Sequence, residues 1–235
     1  MPAKNKIKEY HENGYYHLYN RGVEKRVIFA DKQDESVFLS YLKEYLSPKD
    51  PDKLLQIMDD ATSTPQQKAD AKKLIRMNNF SDQLDLLAYC LMPNHFHLLV
   101  KQTVSRTIEM FMRSLCTRYV QYFNHRNNHR VGPLYQDAYK AVLVESPEHL
   151  LHLSRYIHLN PHQKGQSLKE CPQPSSYLNY LGVISQGWVK PQETLSYFAK
   201  SGTNSYSSFV ENSQLDEPSL SQISQLTIDL EKDSP

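Results

Sequence analysis

Leu91-Met92-Pro93-Asn94-His95-Phe96-His97-Leu98-Leu99-Val100 is the stretch on which the fold of this chain turns. An apolar run ends at Met92, Pro93-Asn94 supplies turn chemistry, and a second β-prone run begins at His95. Leu84 to Leu91 and His95 to Lys101 therefore read as two strands of a hairpin. Residues i and i+2 of a strand point to one face, so both imidazoles project one way while Phe96 enters the opposite layer. Two histidines on one sheet face can share a metal, and two buried, hydrogen-bonded histidines give the same pattern. The rest of the chain must decide between them.

Upstream, Tyr15-Tyr16-His17-Leu18-Tyr19-Asn20 is aromatic-rich, follows Gly14 and is closed by Arg21-Gly22, which predicts a first strand. Asp34 reads as the N-cap of a helix with apolar positions Val37, Phe38, Tyr41, Leu42 and Tyr45, stopped by Ser47-Pro48. Residues 47–81 carry Pro48, Pro51 and Pro65 among polar residues, with helical patches near 51–60 and 65–77, and read as an inserted surface excursion. Downstream, Ile108, Phe111, Met112, Leu115, Tyr119, Tyr122 and Phe123 recur at helical spacing, with Arg106, Arg113 and Arg118 mainly off that stripe. Tyr139 to Glu145 is a further β-rich run, and Ser146-Pro147-Glu148 opens a last helix with an N-cap, a proline and an early acid. The order βαββαβ plus one helix predicts an α+β, ferredoxin-like antiparallel sheet with helices on one face and an additional C-terminal helix. The His pair then lies on an internal strand.

The chain has 235 residues and a formal charge of only +1. That total hides a basic middle, since residues 101–140 carry seven Lys/Arg against Glu109 and Asp137, and an acidic tail, since residues 201–235 carry six acids and one lysine. A polyanion is a reasonable partner for the middle. Cys90, Cys116 and Cys171 show no C-x-x-C pair, which argues against a disulfide framework or zinc ribbon and for a reducing, cytoplasmic setting. The basic N-terminus lacks the apolar run of a signal peptide, and no stretch reaches the roughly 18 apolar residues of a membrane span.

On the last helix, at about 100° per residue, His149, His152, Tyr156 and Asn160 share one stripe beside Leu150, Leu153 and Ile157. If this helix packs over the His95/His97 face, two imidazoles and an amide oxygen would bind a divalent cation and leave positions open for phosphate oxygens. Tyr156 would then attack phosphorus, aided by proximity and by the cation's charge, because a tyrosine hydroxyl of pKa about 10 is a poor nucleophile at neutral pH. Asn160 precedes Pro161, a position biased away from helical backbone.

Met92-Pro93-Asn94-His95-Phe96-His97-Leu98-Leu99, Phe123-Asn124-His125-Arg126 with Gly132-Pro133-Leu134-Tyr135, and Arg155-Tyr156-Ile157-His158-Leu159-Asn160-Pro161, in this order, closely resemble the HUH single-tyrosine transposases. The branch they resemble most is the REP-associated tyrosine transposases, and Tyr19-Asn20-Arg21-Gly22 and Ser175-Ser176-Tyr177 also look like family segments. The resemblance covers about residues 10–182 apart from the excursion. It implies a catalytic domain over 1–182 acting on single-stranded or hairpin DNA, with Mg²⁺ or Mn²⁺ and a 5′-phosphotyrosine intermediate. Residues 183–235 would form an acidic, partly disordered extension. Residue by residue, His95 and His97 match the metal pair, Asn160 the third ligand and Tyr156 the nucleophile; insertion-sequence members often have Gln where Asn160 stands.

Arg21, Arg113, Arg118, Arg126 and Arg130 are candidate phosphate contacts, and Tyr135 a candidate base-stacking residue. The resulting expectation is a metal-dependent DNA nickase and strand transferase, a monomer or homodimer in the cytoplasm and on the nucleoid when bound to DNA. The competing expectations are a non-catalytic nucleic-acid-binding module or repressor on the same basic surface, and a zinc-stabilised structural domain, which the open, thiolate-free site disfavours.

Overall fold

The structure is a computed structural model and describes residues 10–127, 132–161 and 167–211. Four strands, β1 (Tyr15–Arg21), β2 (Leu84–Met92), β3 (His95–Gln102) and β4 (Lys140–Val144), form one sheet in the order β2-β3-β1-β4. Every pairing is antiparallel. This is the ferredoxin-like α+β arrangement that the element order predicts, with β3 internal. The turn between β2 and β3 is Pro93-Asn94, which sets Met92 opposite His95.

The two sheet faces are covered differently. Tyr16, Leu18, Leu86, Tyr89, Leu91, Phe96, Leu98 and Val100 pack against α1 (Lys32–Leu46) and α4 (Thr107–Arg126) through Phe38, Leu42, Phe111, Leu115 and Tyr119. Leu87, Ala88, Cys90 and Leu99 pack against α5 (Pro147–Leu159) through Leu150, Leu153 and Ile157. A bulge between Leu86 and Ala88 places both Leu87 and Ala88 on the α5 side.

α5 starts where its sequence says: Ser146 accepts from the His149 N–H at 3.1 Å, with Pro147 in the first turn. For α1 the cap is Asp31 rather than Asp34; Asp31 accepts from the N–H groups of Gln33 and Asp34. Asp34 is instead buried and accepts from the Ala30 N–H and the Tyr122 hydroxyl. The excursion is a pair of packed helices, α2 (Pro51–Asp59) and α3 (Pro65–Arg76), the second opened by a capping box between Thr64 and Gln67.

Beyond residue 182 the chain stays on the body. Trp188 stacks on Tyr89, Val189 bridges Leu86, and Tyr206 and Val210 of α8 (Tyr206–Glu211) are buried beside α5. Shorter helices α6 (Tyr177–Tyr180) and α7 (Gln192–Leu195) precede α8. The stretch read as a disordered tail, about the last 25 residues, lies outside the described residues.

Candidate functional site

Strand alternation puts His17, Tyr19 and Arg21 of β1 on the same face as His95, His97 and Leu99 of β3, because the register pairs His17 with Leu99, Tyr19 with His97 and Arg21 with His95. α5 lies across this face. Its Tyr156 ring meets His97 edge-on, centroids 5.5 Å apart at 84°, and lies 6.4 Å from His17. The Asn160 side chain lies beside the His95 ring, close enough to raise its pKa against the effect of burial. Asn160 keeps helical backbone, φ −54 and ψ −42, despite preceding Pro161, and its N–H donates to the Tyr156 carbonyl. That retained last turn sets Asn160 one turn beyond Tyr156 on the same stripe. His95, His97, Tyr156 and Asn160 are thus gathered at one place.

The hairpin turn that aims His95 is clasped by the loop after β1. Gly22 N–H donates to the Asn94 carbonyl at 2.8 Å, and the N–H groups of Ile28 and Phe29 donate to the Pro93 carbonyl. The Asn94 side-chain N–H₂ donates to the Lys25 carbonyl, which turns its Oδ1 toward His95 Nδ1, 2.6 Å away. An amide oxygen only accepts, so His95 Nδ1 carries the proton and Nε2 presents its lone pair. The Asn-Arg-Gly and Met-Pro-Asn segments are therefore one structural unit.

Burial governs the charge of the imidazoles. It pulls the pKa of His17 down to about 3, with His149 adding to the effect, and that of His95 to about 4, with the Arg21 guanidinium adding to it. His97 is pushed well below the ordinary histidine value by burial first and then by His17, His95 and Arg21. All three are neutral at pH 7, the state a metal ligand needs.

His97 Nε2 is buried without a hydrogen-bond partner among the described residues. A buried acceptor in that state suits a cation. Among the described residues no group of three or more His, Cys, Asp or Glu side chains forms a metal cluster, so a cation here would rest on two imidazoles and the Asn160 amide. That donor set fits a labile divalent ion and leaves coordination positions for phosphate oxygens.

Of the expected DNA contacts among the described residues, only Arg21 stands beside the histidines, close enough to lower the pKa of His95 and His97. The others described lie on the α1/α4 side. Arg113 pairs with Glu109, both on the exposed side of α4. Arg118 pairs with Glu44 and lies over the Tyr41 ring. Arg126 bridges Asp31 and Asp34, tying α4 to α1. Tyr135 is buried, its ring edge-on to Phe96 in the α1/α4 layer, and so cannot stack a base without leaving the core. Each of these arginines has a structural partner in this fold, and Tyr135 has a structural place in its core. Arg130 lies outside the described residues. His17 is the site residue that motif reading missed; its signal was the i, i+2, i+4 series His17, Tyr19, Arg21 on a strand that βαββαβ topology seats next to β3.

A family model agrees over part of the chain with the resemblance read from the ordered motifs. The family model described as "Transposase IS200 like" matches residues 60–160, a stretch that includes His95, His97, Tyr156 and Asn160 and excludes His17 and Arg21. A solved structure titled "Structure of the REP associates tyrosine transposase bound to a REP hairpin" is similar at a TM-score of 0.42 and 10% identity, over 79% of this chain and 96% of that one. No curated protein matches.

Proposed function

We propose that the protein is a divalent-metal-dependent endonuclease and strand transferase of single-stranded, hairpin-bearing DNA, with Tyr156 as nucleophile and His95, His97 and Asn160 as cation ligands. The observation that carries this reading is the Tyr156 ring set edge-on against His97 from the same chain, with Asn160 one turn further along the same helix stripe and beside His95. The match of residues 60–160 to IS200-like transposases supports it, and the chemistry of the donor set points the same way.

A divalent cation held there would draw the phosphate oxygens into place and offset their charge. The chain's own groups do the rest. Tyr156 Oη forms a bond to phosphorus as the bond to the 3′ oxygen breaks, the phenolic proton leaves, and the 3′ oxygen takes one up. The phosphoester is conserved in phosphotyrosine, so a second 3′ hydroxyl can reverse the step and join a new end without nucleotide hydrolysis. Arg21, beside the imidazoles, supplies a fixed positive charge for the same phosphate.

Incubation with hairpin-bearing single-stranded DNA and Mn²⁺ should give a denaturant-resistant protein–DNA band. Tyr156→Phe should abolish the band, and His95→Ala should abolish it while retaining most DNA binding. A band that survives Tyr156→Phe overturns the nucleophile assignment. Salt-dependent binding without any adduct, across hairpins and metals, would make the protein a non-catalytic binding module instead.

A further inference from the structure

His17 Nε2 lies 2.8 Å from His97 Nδ1, with the rings nearly parallel at 23° and centroids 5.0 Å apart. Both residues are buried, 2% and 0% exposed. One proton must sit between these two nitrogens, and its owner fixes the second nitrogen of each ring. If His17 donated, neutral His97 would carry its proton on Nε2, an N–H aimed into a buried place with no acceptor among the described residues. If His97 donates, Nε2 turns a lone pair to the site where Tyr156 and Asn160 converge.

We propose that His17 is a positioning residue that accepts the His97 Nδ1 proton and so locks His97 in the tautomer that presents Nε2 to a divalent cation. The inference rests on the reading of His97 as a cation ligand. It makes the two imidazoles a matched pair: His95 anchored by the Asn94 amide oxygen, His97 by a second imidazole. Ligand histidines are ordinarily held this way by a carbonyl or a carboxylate. A neutral imidazole in that role adds no negative charge beside a site that must receive phosphate, and it leaves His97 a weaker donor than a carboxylate would, which suits an exchangeable cation.

The test has three arms on the full chain. Long-range ¹H–¹⁵N spectra of metal-free protein, with His97 assigned through His97→Gln, should show His97 protonated on Nδ1 and bare on Nε2; the opposite tautomer overturns the proposal. Mn²⁺ affinity, read from free-ion electron paramagnetic resonance, should weaken about 10- to 100-fold in His17→Leu. His17→Gln, whose amide oxygen can accept the same proton, should stay within about threefold of wild type. Unchanged affinity in a folded His17→Leu overturns the proposal, as does a wild type that binds no Mn²⁺. Should His17→Leu not fold, the tautomer spectrum and the His17→Gln titration still decide. The DNA adduct assay separates the two readings. His17-dependent Mn²⁺ binding without an adduct removes the nuclease reading alone, and a wild-type adduct with His17-independent Mn²⁺ binding removes this inference alone.

Discussion

A methyl group at Gly22 would sit 2.1 Å from the Arg26 carbonyl oxygen, a backbone atom with nowhere to go. The backbone there is ordinary extended chain, φ −60 and ψ 140, so glycine is required by the close approach and not by its dihedral freedom. Gly22 also donates to the Asn94 carbonyl in the turn that aims His95. Gly22→Ala should therefore destabilise the protein by about 2 kcal/mol or more, read as a lower urea midpoint, and should abolish the DNA adduct even where the variant is folded. An unshifted midpoint would show that the clasp yields easily. At this scale the imidazole pair and Tyr156 were legible in the sequence because they sit in short ordered motifs. His17 was not, since its role appears only once the β1–β3 register pairs Tyr19 with His97.

Among the elements, α1 and α4 are joined by Arg126 reaching Asp31 at 2.5 Å and Asp34 closer still. The Arg126 guanidinium first, and the Asp34 N–H at the helix cap next, hold the Asp31 carboxyl well below the usual carboxylate range. A carboxyl depressed by folding adds stability that is complete above the unfolded value of about 3.9 and is lost as pH falls toward the folded one. Melting temperatures should thus fall below about pH 4, and Arg126→Met should flatten part of that fall; the pair is exposed, so 0.5 M salt should flatten it too. A profile unchanged by Arg126→Met would remove the pair as a cause. Strands and long helices were legible because periodicity and caps agree, as at Ser146-Pro147 and Thr64-Pro65. The α1 start was misplaced because Asp31 and Asp34 are both competent caps, and only burial of Asp34 against Tyr122 separates them. The same holds for Tyr135 and the arginines of α4: charge and aromaticity show on paper, whereas the partner across the layer does not.

Over the whole molecule, the seat of α5 is built by chain that follows it. His158 bridges the Tyr206 hydroxyl and the Ser176 Oγ at 2.7 and 2.8 Å, and Ser154 accepts from Tyr206. The short helices that supply these groups hold too few residues for a periodic signal, which is why residues 183–211 read as extension. We expect the stable unit to need them. A chain ended after residue 182 loses the burial of Trp188, Val189, Tyr206 and Val210, each worth about 1.5–3 kcal/mol, a sum comparable to the stability of a typical domain. Such a chain should melt without a cooperative transition, and a sharp, wild-type-like melt would instead make the division at 182 a true domain boundary. The helical excursion is the opposite case. Its entry and exit are one hydrogen bond apart, Phe80 N–H to the Tyr45 carbonyl at 2.8 Å, and Asn79 closes on Ser47. That closed neck is a port: exchange of residues 49–78 for a short linker, or for a foreign module, should leave the sheet and its imidazoles where they are. Retained Mn²⁺ binding in such an exchange would show that the neck, and not the two helices beyond it, keeps the site in place.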